Sequence, residues 1–224
     1  MALPFERSRQ NVALGSDRNT SDGMYGVRMP ELWVETIAAR RAEVREAILD
    51  AAGDLLRRRG LLGLSMSELA AAADIGRATL YKHFPDIAHV VAAWHDRQVS
   101  AHLSELAALA EQPGDSAERL RAVCLAYARI CQQRRQHGDA ELRAVVHHSR
   151  PESELPDELV AIFTGLISQA AAAGSVRRDV PQAELAAYCI SALDAARDVA
   201  APTALSRLVD VVWAGLTPPS HVGA

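Results

Sequence analysis

Ser65-Met-Ser-Glu-Leu-Ala-Ala-Ala-Ala-Asp-Ile-Gly-Arg-Ala-Thr-Leu-Tyr-Lys-His-Phe84 reads as a short helix, a tight turn and a second short helix. Ser65 followed three residues later by Glu68 has the form of a capping box, the hydroxyl accepting from an early helix N–H and the carboxylate reaching back. Met66, Leu69, Ala70 and Ala73 supply a narrow apolar stripe, and the small alanines let a second helix approach closely. Asp74-Ile75-Gly76 is a turn, in which Asp74 tolerates left-handed backbone and Ile75 plugs the space between helices. The second helix starts with Arg77 and ends by Phe84, because Pro85 disfavours helical geometry at the residue before it. Asp86 then caps a further helix from Ile87. This is the layout of a helix-turn-helix, whose second helix enters the major groove of DNA.

Working outward, Trp33, Ile37, Val44, Ile48, Ala51, Ala52, Leu55 and Leu56 follow helical spacing between Glu31 and Arg59. The part from Val44 to Leu56 would form the floor under the helix-turn-helix. Arg57, Arg58 and Arg59 complement the macrodipole of that helix before Gly60, or else gather near the DNA with Arg40, Arg41, Arg45, Arg77 and Lys82. Beyond Asp86 the pattern stays helical, with helices expected over 87–110, 115–136, 139–149, 155–173, 181–199 and 202–215. The chain is accordingly expected to be all-α. Residues 1–30 form an N-terminal arm, 31–88 the helix-turn-helix domain, 89–217 a helical effector-binding and dimerisation domain, and 218–224 a tail. The arm has no sustained periodicity; it either touches DNA through Arg7, Arg9, Arg18 and Arg28, or is dispensable, or precedes a true start at Met24 or Met29.

The run Ile75-Gly-Arg-Ala-Thr-Leu-Tyr-Lys-His-Phe84, with Ser65-Met-Ser-Glu-Leu-Ala70 before it and an amphipathic helix ending at Gly60, resembles the TetR family of bacterial transcriptional regulators. The resemblance covers residues 36–96, with Leu69-Ala70, Thr79, Leu80-Tyr81 and His83-Phe84 at the family's spacing. Ala78 stands where many members have glycine, and Ile87 where many have a lysine that touches phosphate. The resemblance implies a non-catalytic DNA-binding protein, a homodimer on a palindromic operator, and a small-molecule effector held between helices of the C-terminal domain.

On the second helix, Arg77 is the candidate for bidentate contact with guanine, while Thr79, Tyr81, Lys82 and His83, joined by Ser67, are candidate phosphate anchors. Trp94, His95, His102, Cys124, Tyr127, Arg143, His147 and Phe163 are candidate effector contacts, since a mostly apolar pocket needs a few orienting polar groups. With ten aromatic residues in the chain, a modest aliphatic cavity fits better than a broad aromatic one. For the dimer, Leu185, Tyr188 and Ala192 (with Ala196 and Val199) and Leu208 and Val212 (with Leu205, Val209 and Trp213) form two apolar stripes. Paired across a two-fold axis these would make a four-helix bundle of the kind the family uses, or they simply face their own domain's core. The helix from Ile87, which leaves the recognition helix through Pro85 and runs toward His95 and His102, is the expected relay from effector to DNA.

The formal net charge of −4 argues against a generic nucleic-acid coat, so the DNA reading rests on the motif. No stretch approaches the roughly 18–20 apolar residues of a membrane span. The first residues lack a signal peptide's apolar core, so the cytoplasm is the expected location. Three cysteines are no disulfide framework. Cys124 and Cys131, two turns apart, read as small core residues or as a redox pair. His95 with His102 and the pair His147-His148 lack the four-residue spacing that chelates a metal on one helix face. No nucleophile elbow, phosphate loop or dinucleotide fingerprint is present, and no cofactor is expected. A second reading remains: a helical dimeric interaction protein governed by a protein partner, or one with weakened DNA binding.

Overall fold

The computed structural model describes residues 31–136, 156–199 and 201–218, and these are helical with short connections. The helices are α1 (Glu31–Arg59), α2 (Met66–Ala72), α3 (Arg77–His83), α4 (Ile87–Ala110), α5 (Ser116–Gln136), α6 (Asp157–Ala172), α7 (Gln182–Asp194) and α8 (Pro202–Leu216), with 3-10 turns at Leu61–Gly63 and Ala195–Asp198. The helix expected over 181–199 thus ends at Asp194 and tightens into a 3-10 turn. The arm, the helix expected over 139–149 and all but the first residue of the tail lie outside the described residues, and Arg143 and His147 with them.

Helix α1 spans two compact units, Met1–Arg41 and Ala42–Ala224. In the first, Ile37 keeps the helical spacing of its neighbours but is 53% exposed, and it lies before the part from Val44 to Leu56 expected as the floor. The second unit contains two apolar clusters. One joins Ile48, Leu49, Ala52 and Leu56 of α1 to Leu69, Leu80, Phe84 and the start of α4, through Val90, Val91 and Trp94. Ile48, Leu69, Leu80 and Val90 are fully inaccessible, each contributing about 1.5–3 kcal/mol by leaving water.

The other cluster is built around α5, which packs against α4, α6, α7, α8 and the second 3-10 turn. Leu120, Val123, Tyr127 and Ile130 recur along α5 at helical spacing and face Phe163 and Leu166 of α6. The rings of Tyr127 and Phe163 meet edge to face with centroids 5.7 Å apart. Two consecutive arginines close helix ends in this body. Arg178 donates from Nε and Nη2 to the carbonyls of Ala171 (2.6 Å) and Ala172 (2.8 Å) at the end of α6, while the backbone N–H of Arg177 donates to Leu216 O (2.8 Å) at the end of α8. Cations and donors at these positions satisfy carbonyls that have no partner within their own helix.

Candidate nucleic-acid interface

The helix-turn-helix forms as its residues dictate. Ser65 is extended (φ −128°) and its Oγ accepts from Glu68 N at 3.2 Å. The Glu68 carboxylate reaches back as expected, but takes the Ser65 hydroxyl (2.9 Å) with one oxygen and Arg59 Nη1 (2.7 Å) with the other. In the turn, Asp74 adopts φ 52°, the left-handed conformation its short polar side chain tolerates, and Ile75 packs part-buried on the cluster beneath. Phe84 ends α3 in extended geometry (φ −140°) ahead of Pro85, and Asp86 caps α4 by accepting from His89 N at 3.0 Å.

The packing fixes which face of α3 is offered. Leu80 is fully buried and pins the helix to α1 and α2. Arg77 and Lys82 are exposed, Tyr81 is 49% exposed, and Thr79 and His83 are part-buried. Ser67 is exposed on the first turn of α2. Beside Phe84, Arg45 lays its guanidinium over the ring at 4.5 Å from the centroid, a cation on an aromatic face next to the end of α3. Lys82 is the only lysine in the chain.

The arginines at the end of α1 are engaged by the protein itself. Arg57 hydrogen-bonds Asp54, Arg58 lies 4.0 Å from the same carboxylate, and Arg59 holds Glu68. At the head of α4, Asp86 Oδ1 also meets His89 Nδ1 at 2.8 Å. Hydrogen bonds from the His89 side chain and backbone hold the Asp86 carboxyl below the usual carboxylate range.

Helix α4 is tied to α1 in two consecutive turns. Trp94 is only 6% exposed, and its indole lies over Gly53, where a β-carbon would stand 2.7 Å from Nε1. The indole N–H has no acceptor among the described residues, an omission that costs about 1–3 kcal/mol when water is excluded. One turn on, Arg97 Nη1 donates to Glu46 Oε2 (2.8 Å) and lies 2.9 Å from Asp50 Oδ1, two carboxylates on one face of α1. Partial burial alone would lower the pKa of Arg97; the two carboxylates outweigh it and leave the guanidinium above its ordinary value. Pairs this exposed contribute about 0.2–1 kcal/mol each.

Several expected site residues sit elsewhere than sequence placed them. Trp94 belongs to the cluster under the helix-turn-helix, where glycine at position 53 opens a seat for the indole on α1. Leu185 and Val212, expected at a dimer contact, are 4% and 1% exposed and pack in the core around α5. Tyr188 is 41% exposed, Ala192 and Leu208 are part-buried, and Val211, absent from the sequence expectation, is 66% exposed. Cys124, Tyr127 and Phe163 do come together in the body core, while His95 and His102 are part-buried along α4. Cys124 pairs through its thiol with Cys189, not Cys131. That hydrogen bond and then burial push its pKa well above the ordinary thiol range. Cys131 instead points Sγ at Asp194 Oδ1, 3.8 Å away, and none of the three cysteines is joined in a disulfide. Burial of both Cys124 and Cys131, with the Cys124 thiol turned to Cys189, favours the core reading over a redox pair.

Comparison with known proteins places these features. Residues 48–93 match the family described as "Bacterial regulatory proteins, tetR family", and residues 133–218 match "Transcriptional regulator SbtR-like, C-terminal domain". Among solved structures, a TetR transcriptional regulator from Streptomyces coelicolor is 29% identical, with 79% of this chain and 99% of that one covered and a TM-score of 0.56. A TetR-family regulator from Pectobacterium atrosepticum is 25% identical over 80% of this chain and 96% of its own, with a TM-score of 0.64. A TetR/AcrR-family regulator from Thermobifida fusca shares the fold at 18% identity, covering 76% and 97% of the two chains with a TM-score of 0.61. No curated protein matches the sequence.

Proposed function

This chain belongs to the TetR family of bacterial regulatory proteins, and from that premise we propose that it acts as a homodimeric repressor, released from a palindromic operator by a small-molecule effector. It is a DNA-binding transcription factor and not an enzyme. The observation that carries the reading is the presentation of α3: Leu80 is anchored in the core while Arg77, Tyr81 and Lys82 stand in the open. Arg77, on the first turn of the recognition helix, reads base edges. Thr79, Tyr81, Lys82 and His83, with Ser67, hold phosphates and fix register.

Two protomers meet through the outer faces of α7 and α8, around Tyr188, Leu208 and Val211, in an isologous contact. The effector binds in the helical body near Cys124, Tyr127 and Phe163, where aliphatic surface dominates and few aromatics contribute. No described helix is long and apolar enough to cross a membrane; the cytoplasmic location in this reading follows from the proposed action on DNA.

The test is titration of the full-length protein against DNA from upstream of its own gene and against random duplex of equal length. Nanomolar, competitor-resistant binding whose affinity falls with salt is the expected result. Micromolar binding indifferent to sequence would favour a helical interaction protein that keeps the head but answers to a protein partner.

A further inference from the structure

Residues Arg97, Glu46, Asp50, Trp94 and Gly53 do not face DNA on the recognition helix, and none lies in the core around α5. They set one quantity, the seating of α4 on α1. The level of Trp94 is fixed by shape alone: the indole fills the space over Gly53, and its N–H finds no acceptor there. A contact without a hydrogen bond slides and rolls at little cost. One turn further along α4, a single nitrogen of Arg97, Nη1, reaches carboxylates at positions four apart on α1, and a positive charge held between two such points resists both motions.

We propose that Arg97 is a positioning residue: its grip on Glu46 and Asp50 holds α4 at the seating that lets both heads of the dimer meet an operator together. The inference rests on the operator-binding reading above. An operator fixes the separation of its half-sites at about 34 Å or multiples of it, so it is sensitive to where each α4 holds its head. Random DNA offers phosphates in any register and is much less sensitive. Weak grips in two heads compound, so their loss is expected to cost about tenfold in operator affinity.

The experiment compares full-length wild type with Arg97→Gln, Arg97→Lys and Gly53→Ala, each titrated against the upstream DNA fragment and against random duplex, with thermal unfolding recorded in parallel. Arg97→Gln should weaken binding to the upstream fragment about tenfold while leaving random-duplex affinity and the unfolding midpoint near wild type. Arg97→Lys, which keeps a cation within reach of the carboxylates, should recover most of the loss. Gly53→Ala changes no charge but drives the indole outward, and should show the same selective loss. Wild type that discriminates between the two DNAs, together with Arg97→Gln and Gly53→Ala that discriminate equally well, overturns this proposal alone. Wild type that does not discriminate overturns the operator reading and this proposal with it. An Arg97→Lys variant no better than Arg97→Gln would also overturn it, since a grip on carboxylates tolerates either cation.

Discussion

The hydroxyl of Tyr188 stands 2.6 Å from the point where a β-carbon on Gly215 would lie, with the ring carbons at 3.0 and 3.1 Å. Glycine on α8 thus lets a tyrosine from α7 lie directly on the helix backbone while 41% of its surface stays open. Gly215→Ala must displace that ring, but an open ring can move and alanine favours the helix, so the net change in chemical denaturation is expected to stay within about 1 kcal/mol. If the outer faces of α7 and α8 join the protomers, Tyr188→Arg and Val211→Arg will give folded monomers by sedimentation velocity. Val212→Arg will instead unfold the body, since its side chain is buried. Dimeric Tyr188→Arg and Val211→Arg variants would move the interface elsewhere.

On α3, affinity and specificity should separate by residue. Arg77→Ala is expected to cost about 1–3 kcal/mol on the operator and much less on random DNA. Tyr81→Phe or Lys82→Ala should weaken both together, and Lys82→Ala should reduce the salt slope by about one. An unchanged ratio of operator to random affinity in Arg77→Ala would assign base reading to another residue.

The cap at Asp86 should make part of the head's stability pH-dependent. Its carboxyl is held below the usual range in the folded chain, so its contribution is complete above the unfolded pKa and disappears as pH falls through the folded one. Asp86→Ala should therefore destabilise the chain at pH 7, through loss of the cap on His89 N. The gap between wild type and variant should shrink once pH drops below about 3.9, the ordinary aspartate pKa. A gap that persists undiminished at pH 2 would mean the cap acts without its charge.

Trp94 offers a reporter of the relay along α4. In a variant with Trp33 and Trp213 replaced, its emission should be that of a buried indole, and an effector should shift it over the same concentrations that release DNA. A tenfold loss of operator affinity requires about 1.4 kcal/mol of differential effector binding. Release of DNA with Trp94 silent would route the coupling around α4.

The helix-turn-helix was legible nearly to the residue, because capping, turn and proline signals are local and all agree there. Ser65, Asp74, Phe84 and Asp86 each adopt the backbone their side chains dictate. Helix periodicity likewise placed α4 to α8 within a few residues. What periodicity cannot say is which neighbour a stripe faces: Leu185 and Val212 serve their own core, and the stripe read at period 3.6 gave no hint that Val211 lies outermost. The seat of Trp94 on α1 is illegible in the sequence because its partner is a glycine 41 positions earlier, and a missing side chain leaves no mark in a hydropathy pattern. Cys189 escaped notice as the partner of Cys124 for the same reason: the two share no helix.

The arginines at 57, 58 and 59 turn to Asp54 and Glu68, and this bears on how quickly the protein finds its site. On a chain of net charge −4, three arginines offset by two carboxylates project only a small net attraction beyond a Debye length of about 8 Å. Encounter with DNA is then set by diffusion and collision, with little acceleration from steering. Once loosely bound, the protein will slide only short distances before letting go, so that much of its search proceeds by repeated dissociation and re-landing.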